Sequence, residues 1–516
     1  MSQPPAPARP PAQARPPAPA RPPAPAQPPA PALPPLRLLI GGELRGARDG
    51  DTFPIVNPAT EDVIGHAPDA TDADVDAAIA AARRAFDETA WPNDAGLRAR
   101  CLRQLRAALD EDFEVLSEIT IAEAGAPRVW TDGPQLRIPI DGLDYVIGLA
   151  ESYPWTTDLG TATPMGIATR RQVRREPAGV VAAITPWNFP NQINLAKLGP
   201  ALAAGCTVVL KPAPDTPWTG AELGRLVAAK TDIPPGVVNV VTSSRVGAGR
   251  ALTADPRVDL VSFTGSTTTG REVMAAAAAT LKRVFLELGG KSAAVVLDDY
   301  DAAAAAAITA FGVCVHAGQG CALTTRLIVP RHRYEEAVAA AARTMTGIGV
   351  GDPRDRRTVC GPVISAAQRD RVESYLRSAA DDGGTFACGG GRVPGRDRGF
   401  WIAPTVIAGL ASAARAAREE IFGPVLVVLA HDGDEDAVRL ANDSPYGLSG
   451  AVFGTDLDRA RGVAARLRTG TVGINGGIWY APDVPFGGRK QSGMGREMGV
   501  PGFEEYLEIK SIAEPE

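Results

Sequence analysis

Residues 179–211 read GVVAAITPWNFPNQINLAKLGPALAAGCTVVLK, and this stretch decides the fold. Small and β-branched residues fill 179–184 and again 207–210, and the intervening 194–204 reads as helical. Strand, helix and strand in so short a span call for a parallel pair joined by a crossover helix. Further strand-like runs follow at 237–241, 260–263 and 284–288, with helical stretches at 219–230 and 268–281. A second series runs 325–329, 401–407, 425–429, 448–453 and 471–474, interleaved with helices near 334–346, 366–380, 434–442 and 457–467. The expected fold class is α/β, with two doubly wound parallel-sheet domains. Ligands in such sheets collect beyond the carboxyl ends of the strands, so the loops there are where chemistry should lie.

Upstream, Thr71 and Asp74 form a capping box ahead of Val75, Ile79, Ala82 and Phe86, the spacing of an amphipathic helix. A second helical stretch covers 98–124, and the apolar run 302–315 reads as a buried helix, too short to span a bilayer. Sixteen of the 46 prolines fall within residues 1–35, where variants of Arg-Pro-Pro-Ala-Pro-Ala repeat. That composition favours extended polyproline II and has no side chains to build a core, so 1–35 is expected to be a disordered tail. The start has no apolar signal region, six cysteines contain no CxxC pair, and four histidines are scattered singly. A cytoplasmic protein without zinc sites or disulfides is expected. The net charge of the chain is −6, and with Arg9, Arg15 and Arg21 in the tail the body carries about −9, which disfavours nucleic acid as a partner; no membrane partner is expected either.

Two phosphate-loop lookalikes fail. Arg271 and Glu272 stand where the loop after Gly265 and Gly270 needs Lys and Ser/Thr, and Phe285 occupies the first glycine position ahead of Gly290-Lys291-Ser292. The segment 263–270 still ends a strand and opens a helix, where free amides and the helix dipole suit a pyrophosphate or serve an ordinary tight connection. Gly318-Gln319-Gly320-Cys321 gives a cysteine whose small neighbours leave room for a substrate, although a single cysteine is more often a packing residue. Glu287 ends the apolar run 284–286, where desolvation would raise a carboxylate toward general-base range. Pro186 and Pro190 stiffen the turn that carries Asn188, whose amide could meet a developing oxyanion.

Together these segments resemble the aldehyde dehydrogenase superfamily. The resemblance is carried by 318–321, 286–291, Pro186-Trp187-Asn188-Phe189-Pro190, Phe263-Thr264-Gly265-Ser266, 420–425, Pro485-Phe486-Gly487-Gly488 with Lys490, Ser492 and Gly493, and Asn57-Pro58-Ala59-Thr60. It runs from about Leu38 to the C-terminus. It implies Cys321 as nucleophile, Glu287 as general base and Asn188 as oxyanion donor, with an aldehyde as substrate. It further implies a nicotinamide dinucleotide bound by Thr185, Pro186, Trp187, Lys211, Gly265, Ser266, Gly270, Leu288, Glu420 and Phe422, and no metal. NAD is the expected cofactor. Pro214 stands where many NAD-preferring relatives have a ribose-binding glutamate, which leaves NADP open. The resemblance also divides the chain into a cofactor domain (36–159 and 179–289), a catalytic domain (290–490) and a bridging element (160–178 and 504–516) through which a homodimer or homotetramer would form. A coenzyme A-acylating semialdehyde dehydrogenase, which usually lacks the glutamate, and a non-catalytic scaffold are the rival readings. For the substrate, Asn191, Gln192, Ala322 and 478–480 are expected at the entrance, and their rings suggest apolar or aromatic aldehydes.

Overall fold

The computed structural model describes residues 33–516, so the expected tail lies outside the described residues except for 33–35. Those three belong with the body. Leu33 and Leu36 lie against a small core of Phe53, Ile55, Ile119 and Trp218. The Trp218 indole donates to the Pro34 carbonyl at 3.0 Å. Leucine, absent from the earlier proline repeats, supplies the side chain that lets this segment bury surface.

The unit at 179–211 is strand Val180–Ile184, helix Pro190–Ala204 and strand Thr207–Lys211, with the two strands parallel. Alternation along the first strand feeds two cores: Val181 and Ala183 meet Leu195, Leu198 and Leu202, while Val180 and Ala182 meet Val75 and Ile79. A parallel sheet covered on both faces needs this two-sided apolar pattern. Val238–Val240, Thr207–Lys211, Val180–Ile184, Leu260–Thr264 and Arg283–Glu287 lie side by side in that order and run parallel. Sequence order therefore reverses between Val180–Ile184 and Leu260–Thr264. The loops leaving these two strands diverge and open a crevice at their carboxyl ends. The second sheet is ordered Thr385–Cys388, Thr405–Ala408, Val425–His431, Arg326–Pro330, Ala293–Val296, Ser449–Phe453 and Thr471–Ile474, parallel except for its first strand.

Several boundaries differ from expectation, each for a local reason. The helical stretch 98–124 is two helices, Ala95–Glu111 and Phe113–Ala124, broken at Asp112. The Asp112 carboxylate turns away to Arg225 and Lys230. The strand expected at 401–407 is only Thr405–Ala408, since Pro404 has no N–H to offer a ladder. Helix Ala302–Cys314 buries one face and exposes Ile308 and Phe311, so it is half-buried rather than buried. Among the described residues no helix is long and apolar enough to cross a membrane. A separate three-stranded sheet joins Thr156–Ala162, Thr169–Pro177 and Leu507–Pro515. It starts four residues before the expected 160, and its last strand follows helix Gly499–Glu504 instead of beginning at 504. The unassigned 491–503 returns to the first sheet, where Gly493–Met494 pairs antiparallel with the end of Arg283–Glu287.

Removing residues 1–32 should leave the thermal unfolding midpoint unchanged, whereas removing 1–36 should lower it, because only the longer deletion takes Leu33, Leu36 and the Trp218 acceptor. Calorimetry of the two truncations checks this. Equal midpoints would contradict the attachment.

Candidate active site

The crevice at the strand reversal is a cleft of about 250 Å³, and most of the sequence-predicted residues meet there. The loop after Val180–Ile184 brings Pro186, Trp187 and Asn188. The turn after Leu260–Thr264 brings Gly265 and Ser266, and Leu288 follows Arg283–Glu287. From the second sheet's side come Cys321, Glu420 and Phe422. Three predicted residues lie beneath the wall instead. Thr185 spends its hydroxyl on Asn194 Oδ1 at 2.7 Å. Gly270 is pressed against Leu288, where a Cβ would fall 2.6 Å from Cδ2. Lys211 is buried with its Nζ 3.3 Å from the Ser243 carbonyl, and burial pulls its ammonium down to about 8 against the opposing charge of Asp69.

One end of the cleft is bare backbone. A Cβ on Gly265 would sit 2.5 Å from the Phe263 ring, so only glycine fits. Ser266 caps helix Thr267–Ala277, its Oγ accepting from Thr269 N at 3.1 Å. At the other end Glu420 Oε1 accepts from Gly290 N at 2.8 Å, and burial lifts the carboxyl to about 7. Phe422 holds a left-handed φ of +62° and meets Trp187 edge to face at 5.3 Å. Gln368 and Arg371 hold that strained turn, donating to the Phe422 and Glu420 carbonyls, each at 2.6 Å. Sequence reasoning missed both, because they sit on a helix more than forty residues away with nothing nearby to mark them.

Of the chemistry-bearing residues Cys321 and Asn188 line the cleft, whereas Glu287 is buried behind its neighbours Leu288 and Gly289, which do. Glu287 is only 1% exposed, and among the described residues no side chain donates to either carboxyl oxygen. Burial first, and the neighbouring Glu497 second, hold its pKa well above the ordinary carboxylate range, with Lys197 and Arg496 pulling the other way. Gly487, at φ +157°, leaves room for it, since a Cβ there would come within 2.6 Å of Oε1. Ser492 Oγ donates to the Gly289 carbonyl at 2.7 Å and its own carbonyl accepts from Leu288 N at 2.9 Å, so the 485–493 segment walls in this strand end. Lys197 Nζ donates to Glu497 Oε1 at 2.8 Å and to Ser262 Oγ at 3.1 Å, all of it buried. Neither Lys197 nor Glu497 was found from sequence. The available signal was a single cation in the otherwise apolar helix Pro190–Ala204.

Cys321 follows three consecutive left-handed residues, His316, Ala317 and Gly318. Burial pushes its thiol far up, and Glu287, Glu420 and Glu497 add to the shift. Asn188, buried, donates its Nδ2 to the Gln319 carbonyl at 2.8 Å. On another side of the site is an apolar recess of about 60 Å³, lined by Ile138, Leu143, Gln192, Ala196, Tyr480 and Phe503 among others, with no charged side chain. Tyr480 joins the recess to the cysteine: the charges of Glu497 and of a Cys321 thiolate both bear on its hydroxyl. Of the other expected entrance residues, Asn191 is fully buried and bonded to Thr120 Oγ1 at 2.7 Å. Trp479 stacks on Phe486 at 5.3 Å, and Ile478 points to solvent.

The raised thiol has a direct readout. Iodoacetamide should modify Cys321 slowly at neutral pH, at a rate still climbing above pH 9, where a free thiol of pKa about 8.5 levels off. A plateau at or below that value would contradict the electrostatics described.

The chain matches the family model described as "Aldehyde dehydrogenase family" over residues 46–512. It is 42% identical to geranial dehydrogenase of Castellaniella defragrans, over 92% of this chain and 98% of the relative. Among solved structures it is similar to a Mycobacterium tuberculosis aldehyde dehydrogenase complexed with NAD+, at 42% identity and a TM-score of 0.88, covering 92% of this chain and 97% of that one. A mutant of aldehyde dehydrogenase C from Pseudomonas syringae, complexed with NAD+ and octanal, is 41% identical with a TM-score of 0.88, covering 92% and 96%. Sequence, fold and cleft agree, and this chain belongs to the aldehyde dehydrogenase family.

Proposed function

We propose that the chain oxidises an apolar, uncharged aldehyde to its carboxylic acid with NAD+, through a thioester on Cys321. The observation that carries this reading is the convergence of Cys321, Asn188 and the residues that follow Glu287 on one cleft that also holds Gly265, Ser266, Glu420 and Phe422, together with a separate apolar recess.

The residues of the cleft suit a nicotinamide dinucleotide. The bare Gly265–Ser266 backbone at a helix start suits a pyrophosphate, Glu420 and Lys211 suit ribose hydroxyls, and the Trp187–Phe422 pair suits the nicotinamide end. When bound, the dinucleotide supplies the hydride acceptor. Pro214 carries no ribose-gripping carboxylate, yet Asp215 beside it keeps an acidic group at that end, which supports NAD over NADP. Two relatives crystallised with NAD+ support the same choice.

Each chemical role follows from what its group can do. Burial favours the thiol form of Cys321, and of the three acids whose charges bear on it, Glu287, Glu420 and Glu497, Glu287 acts most strongly, so we assign Glu287 the thiol proton. The sulfur adds to the aldehyde carbon, and the carbonyl electrons move onto oxygen. Asn188 Nδ2 and the Cys321 backbone N–H meet that oxyanion, and losing one such donor costs about 10²–10³ in rate. Loss of hydride from the carbon leaves a thioester. Glu287 passes its first proton to solvent and, again a carboxylate, takes a proton from the water that adds to the thioester carbon; the sulfur leaves with the C–S bonding pair as thiolate, and the carboxylic acid is released. A glutamate buried at this position supports hydrolysis over transfer to coenzyme A, and its presence with Cys321 argues against a non-catalytic scaffold.

The apolar recess supports the substrate class. A cationic or anionic aldehyde would leave its charge unpaired there, which is costly. Homo-oligomerisation is proposed through the three-stranded sheet, whose Leu159, Ile167 and Ile509 are exposed. Six free cysteines are consistent with a cytoplasmic location.

Replacing Cys321 by Ala should abolish aldehyde oxidation by at least about 10³ while leaving cofactor binding intact, and Glu287→Gln should let the acyl-enzyme accumulate, visible by intact mass. Because Glu287 works as the base form and its pKa is raised, deacylation should rise with pH and level off later than an ordinary carboxylate allows. Retention of activity in Cys321→Ala would end the proposal. In a substrate panel, neutral aliphatic and aromatic aldehydes should exceed betaine aldehyde and succinic semialdehyde in kcat/KM by at least about tenfold, one tenfold step being roughly 1.4 kcal/mol of discrimination. The reverse order would overturn the substrate class.

A further inference from the structure

The oxyanion role requires more of Asn188 than its presence. A carboxamide has an NH2 end and an oxygen end of nearly the same shape, and only the first stabilises negative charge. The oxygen end would repel it. Asn188 is buried, so its orientation is set by protein contacts. The contact that decides it is the Gln319 carbonyl, 2.8 Å from Nδ2. A carbonyl only accepts, so the group facing it must be the NH2, and the second N–H of that same nitrogen remains for the substrate.

The Gln319 carbonyl is itself held in place. Its side chain is fully buried and makes three contacts: Oε1 accepts from Ile364 N at 2.9 Å, and Nε2 donates to the His316 carbonyl at 3.2 Å and to the Pro362 carbonyl at 3.5 Å. Its own backbone N–H also donates to the His316 carbonyl, at 3.1 Å. The three left-handed residues at 316–318 fold the chain back so that the Gln319 carbonyl faces Asn188 while Cys321 lies two residues on. Left-handed non-glycine backbone persists only where surrounding contacts over-determine it, and the Gln319 side chain supplies such contacts. The clamp thus ties the cysteine loop to 362–364 and orients the amide in one stroke.

We propose that Gln319 is a positioning residue that sets the orientation of the Asn188 carboxamide and thereby makes it a donor to the oxyanion. The proposal rests on the oxyanion role of Asn188 given above. The clamp also holds the Cys321 loop, so the positioning role is separated from packing by the part of its effect that disappears when Asn188 is absent.

The test is a double-mutant cycle on the full chain with NAD+ and a neutral aldehyde. Gln319→Met keeps the volume and removes all three side-chain contacts, and Gln319→Glu keeps the acceptor for Ile364 and removes the two donated bonds. Each should lower the single-turnover rate of hydride transfer by about tenfold to a hundredfold, a part of the 10²–10³ carried by a whole donor. The aldehyde KM and NAD+ affinity should stay within about threefold. In an Asn188→Ala background either Gln319 change should cost less than about threefold more. If the Gln319 losses multiply with that of Asn188→Ala, or if both Gln319 variants keep the wild-type rate while Asn188→Ala loses it, the positioning role is wrong. If Asn188→Ala itself keeps the wild-type rate, the oxyanion reading fails first. Should Gln319→Met not fold, Gln319→Glu alone completes the cycle.

Discussion

An ammonium group shut away from water governs this site. Lys197 is fully buried, held by Glu497 and Ser262 and covered by the Phe285 ring at 4.9 Å. Its helix, the strand Leu260–Thr264 and the returning segment around Glu497 meet at this one point. Removing either member of such a pair leaves an uncompensated buried charge, which costs about 3–5 kcal/mol. The pair also fixes the field felt by Glu287, since the two charges act on it with opposite sign. Glu287 needs both terms. Lys197 and Arg496 offset part of the upward push that burial and Glu497 give its carboxyl, and an unshifted carboxylate would be a weaker base.

Much of this arrangement was legible in the sequence, because it is written in local chemistry. The parallel sheets follow from apolar runs whose two faces are both buried. The cleft's position follows from the reversal of strand order at Val180–Ile184. Motif residues such as Gly265, Gly290 and Gly487 are glycines because a Cβ would strike Phe263, the Cys321 carbonyl or Glu287. The unreadable parts are long-range. Lys197 and Glu497 are 300 residues apart, and Gln368 and Arg371 act on a turn about fifty residues away. No periodicity links such pairs, since each contact depends on how segments far apart in the chain are brought together by the fold. Asn191 shows the opposite error. Its neighbours suggested the substrate entrance, but the helix turns it inward to Thr120.

Of the nine residues other than glycine with positive φ among the described residues, three border the cleft. His316 and Ala317 precede the cysteine and Phe422 borders the cofactor side, all with positive φ and none of them glycine. Each such residue costs on the order of 1–3 kcal/mol. The surroundings that offset it are side-chain clamps from outside the cleft: Gln319 for the first turn, and Gln368 with Arg371 for the second. The reactive groups are thereby placed by residues that never touch substrate.

The same burial that builds the site also keeps it idle. Burial and the charges of Glu287, Glu420 and Glu497 push the Cys321 thiol up, and the thiol form reacts more slowly with oxidants and electrophiles than the thiolate. Whatever removes carboxylate repulsion or adds positive charge in the cleft eases that shift, and Glu420, one of the three acids, itself lines the cleft. The apolar recess has no charged side chain in its lining, so a neutral group entering it would leave the field at Cys321 unchanged; the two cavities thus differ in kind, one able to alter the charge around the thiol and the other not.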